Sequence, residues 1–146
     1  MHRKSVQDDK GYFANLLRQA GYKATAGRIG LLKLLKNSGK PLSIQELAKK
    51  LSEVKIDQAT IYRVLTVLEE IGVVRQVNLL HGHADYEFVR EDDHHHLICT
   101  KCRRVEDVAG CDDGVTRQVL RRSTNFAAIT QHSFEFFGIC KSCARK

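Results

Sequence analysis

The chain has 146 residues, 42% hydrophobic and 28% charged, which predicts one ordinary or two small folded domains and excludes a disordered chain. Its apolar runs are too short to span a bilayer, and Met1-His2-Arg3-Lys4 leads into no apolar signal segment, so a cytoplasmic location without membrane contact is expected. The formal charge of +7 is unevenly placed, with 15 Lys+Arg against 9 Asp+Glu in residues 1–90 and 9 against 8 in residues 91–146. That surplus suits either a polyanion-facing first part or ordinary solubilising charge.

In chain order, residues 1–8 read as a loose basic tail. Tyr12–Ala20 reads as a helix with Phe13, Leu16 and Leu17 on one side, ended by Gly21. A second helix, about Ala26 to Asn37, turns Ile29, Leu32 and Leu35 inward, and a turn through Gly39 and Pro41 follows. Ser43 with Glu46 three residues on is a capping box that opens a helix carrying Ile44, Leu47, Ala48 and Leu51. Asp57 caps a further helix that buries Ile61, Val64, Leu65, Leu68 and Ile71 and stops at Gly72. Two β-like runs, Val73–Leu79 and Ala84–Val89, are joined by His81-Gly82-His83. Helices followed by a two-stranded hairpin describe a winged helix-turn-helix. After an acidic joint, Glu91-Asp92-Asp93, strands are expected at His94–Cys99, Val105–Val108 and Ala128–Ile139, with a helix over Asp112–Ser123. The fold class is therefore α+β, with a winged-helix domain over residues 8–89 and a small α/β domain over residues 90–146.

Ligand residues gather in the second part. Cys99-Thr100-Lys101-Cys102 and Cys140-Lys141-Ser142-Cys143 form two CxxC turns, each after an apolar strand end. Zinc takes four thiolates in a tetrahedron, and each CxxC aims two sulfurs at one ion. Disulfides do not suit an intracellular chain, and a redox motif needs only one pair. These four cysteines are expected to hold structural Zn(II); Cys111 is left as a loop thiol. Six of the 7 histidines lie between His81 and His132. On a strand, His94 and His96 share one face while Asp93 and His95 share the other. Glu87 and Asp107 stand on flanking strands, and His132 falls on the late strand with Phe134 and Phe136. The alternative is a solvated polar strand. As a metal site this N/O set suits iron, manganese, zinc or cobalt without choosing among them.

Gly21-Tyr22-Lys23-Ala24-Thr25 with Arg28, then Ala59-Thr60-Ile61-Tyr62-Arg63-Val64-Leu65, then His94 to Cys102, then His132 to Cys140, together resemble the ferric uptake regulator family. The resemblance runs from about residue 10 to residue 145. It implies that Tyr62, Arg63 and Thr60 lie on a recognition helix, with Lys23, Thr25 and Arg28 as further DNA contacts. It implies a regulatory divalent metal at Glu87, His94, His96 and Asp107. It also implies a further site at Asp93, His95 and His132. The implied partners are a second copy of the chain and double-stranded operator DNA, with no small-molecule substrate. Fe(II) is the expected regulatory metal, with Zn(II) and Mn(II) as alternatives, and the expected role is repression of metal-uptake genes. A zinc uptake regulator or a peroxide sensor is the alternative within the family.

The chain departs from the family pattern in three places. The usual regulatory histidine falls at Lys40 or Pro41, so His83, or else His81, is expected to replace it. The further site's glutamate falls near Gly114, beside Asp112 and Asp113. The hinge cysteine of many zinc-sensing members is missing. No HExxH or HxE…CxxC pattern occurs, which argues against a zinc hydrolase or deaminase.

Overall fold

Side chains and glycines set the helix ends in the computed structural model, which describes residues 9–90, 94–110, 113–130 and 132–146. Asp93, Cys111 and Asp112 lie outside those residues. The chain divides into two units, one ending at Val89 and the other beginning at Arg90.

In the first unit, α1 (Asp9–Gln19) and α2 (Ala26–Asn37) are joined through Gly21. Its φ of 79° suits a residue without Cβ, and it allows the Gly21 and Tyr22 N–H groups to donate back to Arg18 and Leu17. Thr25 caps α2 by accepting the Arg28 N–H, and Lys36 pairs with Asp9 at 2.6 Å to tie α2 to α1. A two-residue strand, β1 (Leu42–Ser43), precedes α3 (Ile44–Lys50). Both halves of the expected capping box are present: Ser43 Oγ accepts the Glu46 N–H, and Glu46 accepts the Ser43 N–H. A single 3₁₀ turn (Ser52–Val54) leads to α4 (Gln58–Glu70), capped by Asp57.

Gly72, with φ 74°, ends α4 by the same donations, from Gly72 to Glu69 and from Val73 to Leu68. Ile71 is therefore the cap residue, off the buried stripe. It is 45% exposed, against the expectation that it belongs to the core.

The strands β2 (Val74–Val77) and β3 (Asp85–Phe88) are shorter than the expected runs. They do not form an isolated hairpin. β3 is central in an antiparallel sheet of order β1-β3-β2, with Leu42 opposite Tyr86 and Arg75 opposite Glu87. Phe13, Leu17, Leu32, Leu47, Ile61 and Leu65 are all fully buried in the core beneath. Each such side chain contributes roughly 1.5–3 kcal/mol by leaving water.

The second unit holds β4 (His94–Cys99), β5 (Val105–Ala109), α5 (Asp113–Arg122), β6 (Glu135–Gly138) and α6 (Lys141–Ala144). Its sheet order is β5-β4-β6, with β5 antiparallel and β6 parallel to β4. The late strand expected over Ala128–Ile139 is confined to Glu135–Gly138, where β4 supplies a partner. His132 thus precedes the strand instead of lying on it. Among the described residues of this unit, Ile98 and Cys99 are the buried apolar ones, and α5 buries none. So small a core needs another source of stability.

Candidate metal centres and nucleic-acid interface

The parallel pairing of β4 and β6 brings the two CxxC turns together. Cys99 closes β4, and Cys140 follows β6 as the cap residue of α6. Opposite registers would have put them at different ends of the sheet. One sulfur from each of Cys99, Cys102, Cys140 and Cys143 lies within 4.8 Å of the others, and Cys102 Sγ stands 3.7 Å from Cys140 Sγ. That is far beyond a disulfide bond. It equals the edge, about 3.8 Å, of a tetrahedron of thiolates bound to zinc at about 2.3 Å.

The backbone also prefers thiolate here. The Cys102 N–H, with those of Cys140 and Lys101, holds the Cys99 thiol down at about 6. The crowding sulfurs of Cys140, Cys102 and Cys99 push Cys143 up to about 12. Thiolates clustered without a cation repel one another, and a dication removes that conflict. The residues fit a structural zinc.

On β4, His94 and His96 are buried on one face, with rings in edge contact at 5.2 Å between centroids. Asp107 lies directly opposite His96 on β5. Its Oδ2 accepts from Arg90, whereas its Oδ1 is buried without a hydrogen bond and faces His96 Nε2 at 3.7 Å. An unsatisfied carboxylate oxygen facing His96, with His94 on the same face of β4, is an N/O donor set suited to a divalent cation. Glu87 lies on β3 in the first unit's sheet, as the wing run Ala84–Val89 implies. There it is buried and accepts from Arg75. His83 also finds partners in its own unit, His81 and Asp85.

His95 faces the other side of β4. Its ring lies 5.8 Å from that of His132, with Phe134 and Phe136 alongside. No third ligand joins these two histidines among the described residues.

The sequence reading left out Asp85. The alternation His81, His83, Asp85 was available as a signal, because residues two apart on extended chain share a face.

On α4, Ala59, Tyr62 and Arg63 form the outward stripe, and Tyr62 is 54% exposed. Thr60 is half-buried and gives its N–H to Asp57. Arg63 Nε donates to the Ala59 carbonyl while the Tyr22 hydroxyl donates to the Arg63 carbonyl. Arg28 donates to the Lys23 carbonyl and covers the Tyr22 ring at 4.9 Å. Thr25 and Arg28 therefore brace the segment that exposes Lys23 and link it to α4.

The sequence profile of the ferric uptake regulator family matches residues 19–137. The chain belongs to the ferric uptake regulator family. The ferric uptake regulation protein of Legionella pneumophila is 35% identical over 130 residues, covering 87% of this chain and 95% of its own. The peroxide-responsive repressor PerR of Staphylococcus aureus is 30% identical over 132 residues, covering 89% and 88%. Among solved structures, the ferric uptake regulator of Francisella tularensis with iron is 30% identical, with a TM-score of 0.68 over 85% of this chain and 96% of that one. Ferric uptake regulator family members are dimeric, metal-responsive, DNA-binding transcription regulators and not enzymes. The winged-helix and α/β architecture is that of the family. Among the described residues, no helix is long and apolar enough to cross a membrane.

Proposed function

We propose that this chain is a cytoplasmic transcriptional repressor that binds operator DNA as a homodimer when loaded with a divalent metal. Fe(II) is the proposed corepressor and metal-uptake genes are the proposed targets. The observation that carries this reading is the buried pair His94 and His96 beside the unsatisfied Oδ1 of Asp107. These three residues are the proposed regulatory ligands, with Glu87 added by family resemblance. His83, engaged by His81 and Asp85, is left out of that set. A bound cation supplies positive charge and directional bonds that the metal-free side chains lack. The donors are nitrogen and oxygen without thiolate, which suits iron, manganese, zinc or cobalt alike; the choice of iron rests on the Francisella relative, which was solved with iron.

Other features support the DNA-binding and dimeric parts of the reading. Tyr62 and Arg63, exposed on α4, are the proposed major-groove contacts, with exposed Lys23 as the proposed contact to the backbone or minor groove. The second unit exposes Val108, Val115, Val119 and Phe136, an apolar face that suits a second copy of the chain. A dimer would space two recognition helices for a two-fold operator.

The test is operator binding by protein that keeps its cysteine-bound zinc but is stripped of other metal, then titrated anaerobically with Fe(II), Mn(II) and Zn(II). Fe(II) should restore binding, and His96→Ala should abolish the response. Equal binding without added metal would overturn the proposal. Similarity to the Staphylococcus aureus peroxide-responsive repressor favours one second reading, a peroxide sensor. On that reading, hydrogen peroxide should release the iron-loaded protein from DNA.

A further inference from the structure

The tip of the wing carries two histidines and an acid that the regulatory reading does not use. His81 and His83 flank Gly82, whose φ of 89° bends the loop. Their imidazoles stack at 3.9 Å between centroids with 23° between planes. Asp85 opens β3, the central strand of its sheet, and is only 2% exposed. Its Oδ2 lies 2.7 Å from His81 Nε2 and its Oδ1 lies 3.7 Å from His83 Nε2.

An ordinary histidine–carboxylate pair would aim a ring N–H along the short approach. Here none does: Asp85 Oδ2 and His81 Nδ1 are both buried without a hydrogen-bond partner. Leaving such a buried oxygen unsatisfied forfeits the hydration it had in the unfolded chain. Two imidazoles and a buried carboxylate oxygen converging on one point form a donor set that a cation can satisfy.

We propose that His81, His83 and Asp85 bind one divalent transition-metal ion within the DNA-binding unit. Bonds of about 2.0–2.2 Å in a tetrahedron give ligand–ligand edges of about 3.3–3.6 Å. The observed separations of 2.7 and 3.7 Å bracket that range, and all ligand atoms lie within 4.8 Å of one another. Two imidazoles and one carboxylate favour Zn(II), Ni(II) or Cu(II) over Mg(II) or Ca(II), and they leave a fourth position for water. Asp85 pairs with Ser43 of β1 and Val77 of β2, so an ion there fastens the wing tip to the sheet beside the N-cap of α3. The DNA-binding unit thereby gains a metal input of its own, sharing no ligand with the regulatory set.

The test uses the full chain with its cysteine-bound zinc, equilibrated with buffered Zn(II) and analysed for zinc content. The His94→Ala/His96→Ala protein should retain one zinc beyond the structural ion, and adding His81→Ala and His83→Ala should remove it. Asp85→Asn in the same background should weaken that zinc by at least about tenfold, as loss of supporting metal contacts commonly does. In the protein with an intact wing, Zn(II) should also shift the imidazole nitrogen resonances of His81 and His83. Absence of the extra zinc, its survival in the fourfold variant, or unmoved resonances would each overturn the proposal. Comparison of the parent with His94→Ala/His96→Ala separately decides the regulatory reading.

Discussion

Arg90 occupies one oxygen of a proposed regulatory ligand, and removing it should tighten metal binding. Asp107 offers Oδ1 toward His96 while Arg90 holds Oδ2. The guanidinium therefore competes for the carboxylate and repels an arriving dication. The pair is open to water, with Arg90 at 42% and Asp107 at 26% exposure, so it contributes only about 0.2–1 kcal/mol. Arg90→Gln should free that amount, lowering the metal concentration at half-saturation by about 1.5- to 5-fold. The gain should shrink in high salt, because the competing charge is screened. Anaerobic titration of the parent and variant with Fe(II) or Co(II), with structural zinc retained, reads the midpoint directly. A midpoint that stays put or moves to higher metal would refute the competition. Asp107→Asn serves as the opposite control and should weaken binding.

Cys140→Ser should lose the structural zinc and dissociate the dimer, since zinc sites of this kind contribute on the order of ten kcal/mol to folding; elemental analysis and sedimentation would show a retained ion or dimer if the assignment is wrong. Arg63→Ala should weaken operator binding by about 1–3 kcal/mol if it reads a base edge, whereas Lys36→Ala, at a residue committed to Asp9, should change it little; fluorescence anisotropy distinguishes the two. Ser43→Ala should destabilise the first unit by about 1 kcal/mol in thermal melts, by stripping the cap of α3. Burial works against ionised Glu46, yet the Ser43 N–H and Lys40 hold its carboxyl below the usual range. Its contribution is therefore present above pH about 4.5 and lost as pH falls through the depressed value, so parent and Glu46→Gln melts should converge in acid.

Signals confined to a few neighbouring residues were readable in the sequence. Ser43 with Glu46, Asp57, Gly21 and Gly72 each fix a helix end through contacts within five residues, and the two CxxC turns name their own chemistry. Features that depend on a distant partner were harder to read. The strand β1 is two residues long, too short to show alternation, and exists because Tyr86 and Asp85 pair with it. The apolar stretch from Ala128 looked continuous with β6, but only Glu135–Gly138 finds a neighbour in β4. Ile71 fits the helical period of α4, yet the reversal at Gly72 removes it from the core. The position of His83 likewise depended on the bend at Gly82 and on Asp85 being buried beneath it.

The six residues of β4 hold His94 roughly 17 Å and His96 roughly 10 Å from Cys99 along the strand. Such an arrangement makes the sensing half vulnerable to damage at its anchoring half. If oxidation or chelation releases a zinc bound there, the end of β6 keeps only its ladder with β4 and the Thr100–Gly138 hydrogen bonds, and a slip of β4 against its neighbours becomes easier. A slip of one residue turns His94 and His96 to the face now held by His95. Resupplying the proposed corepressor metal alone cannot repair that error, because the proposed ligands would no longer converge. On the proposed function, recovery from thiol stress would therefore require restored zinc, or new protein, before the proposed regulatory ligands could bind metal again.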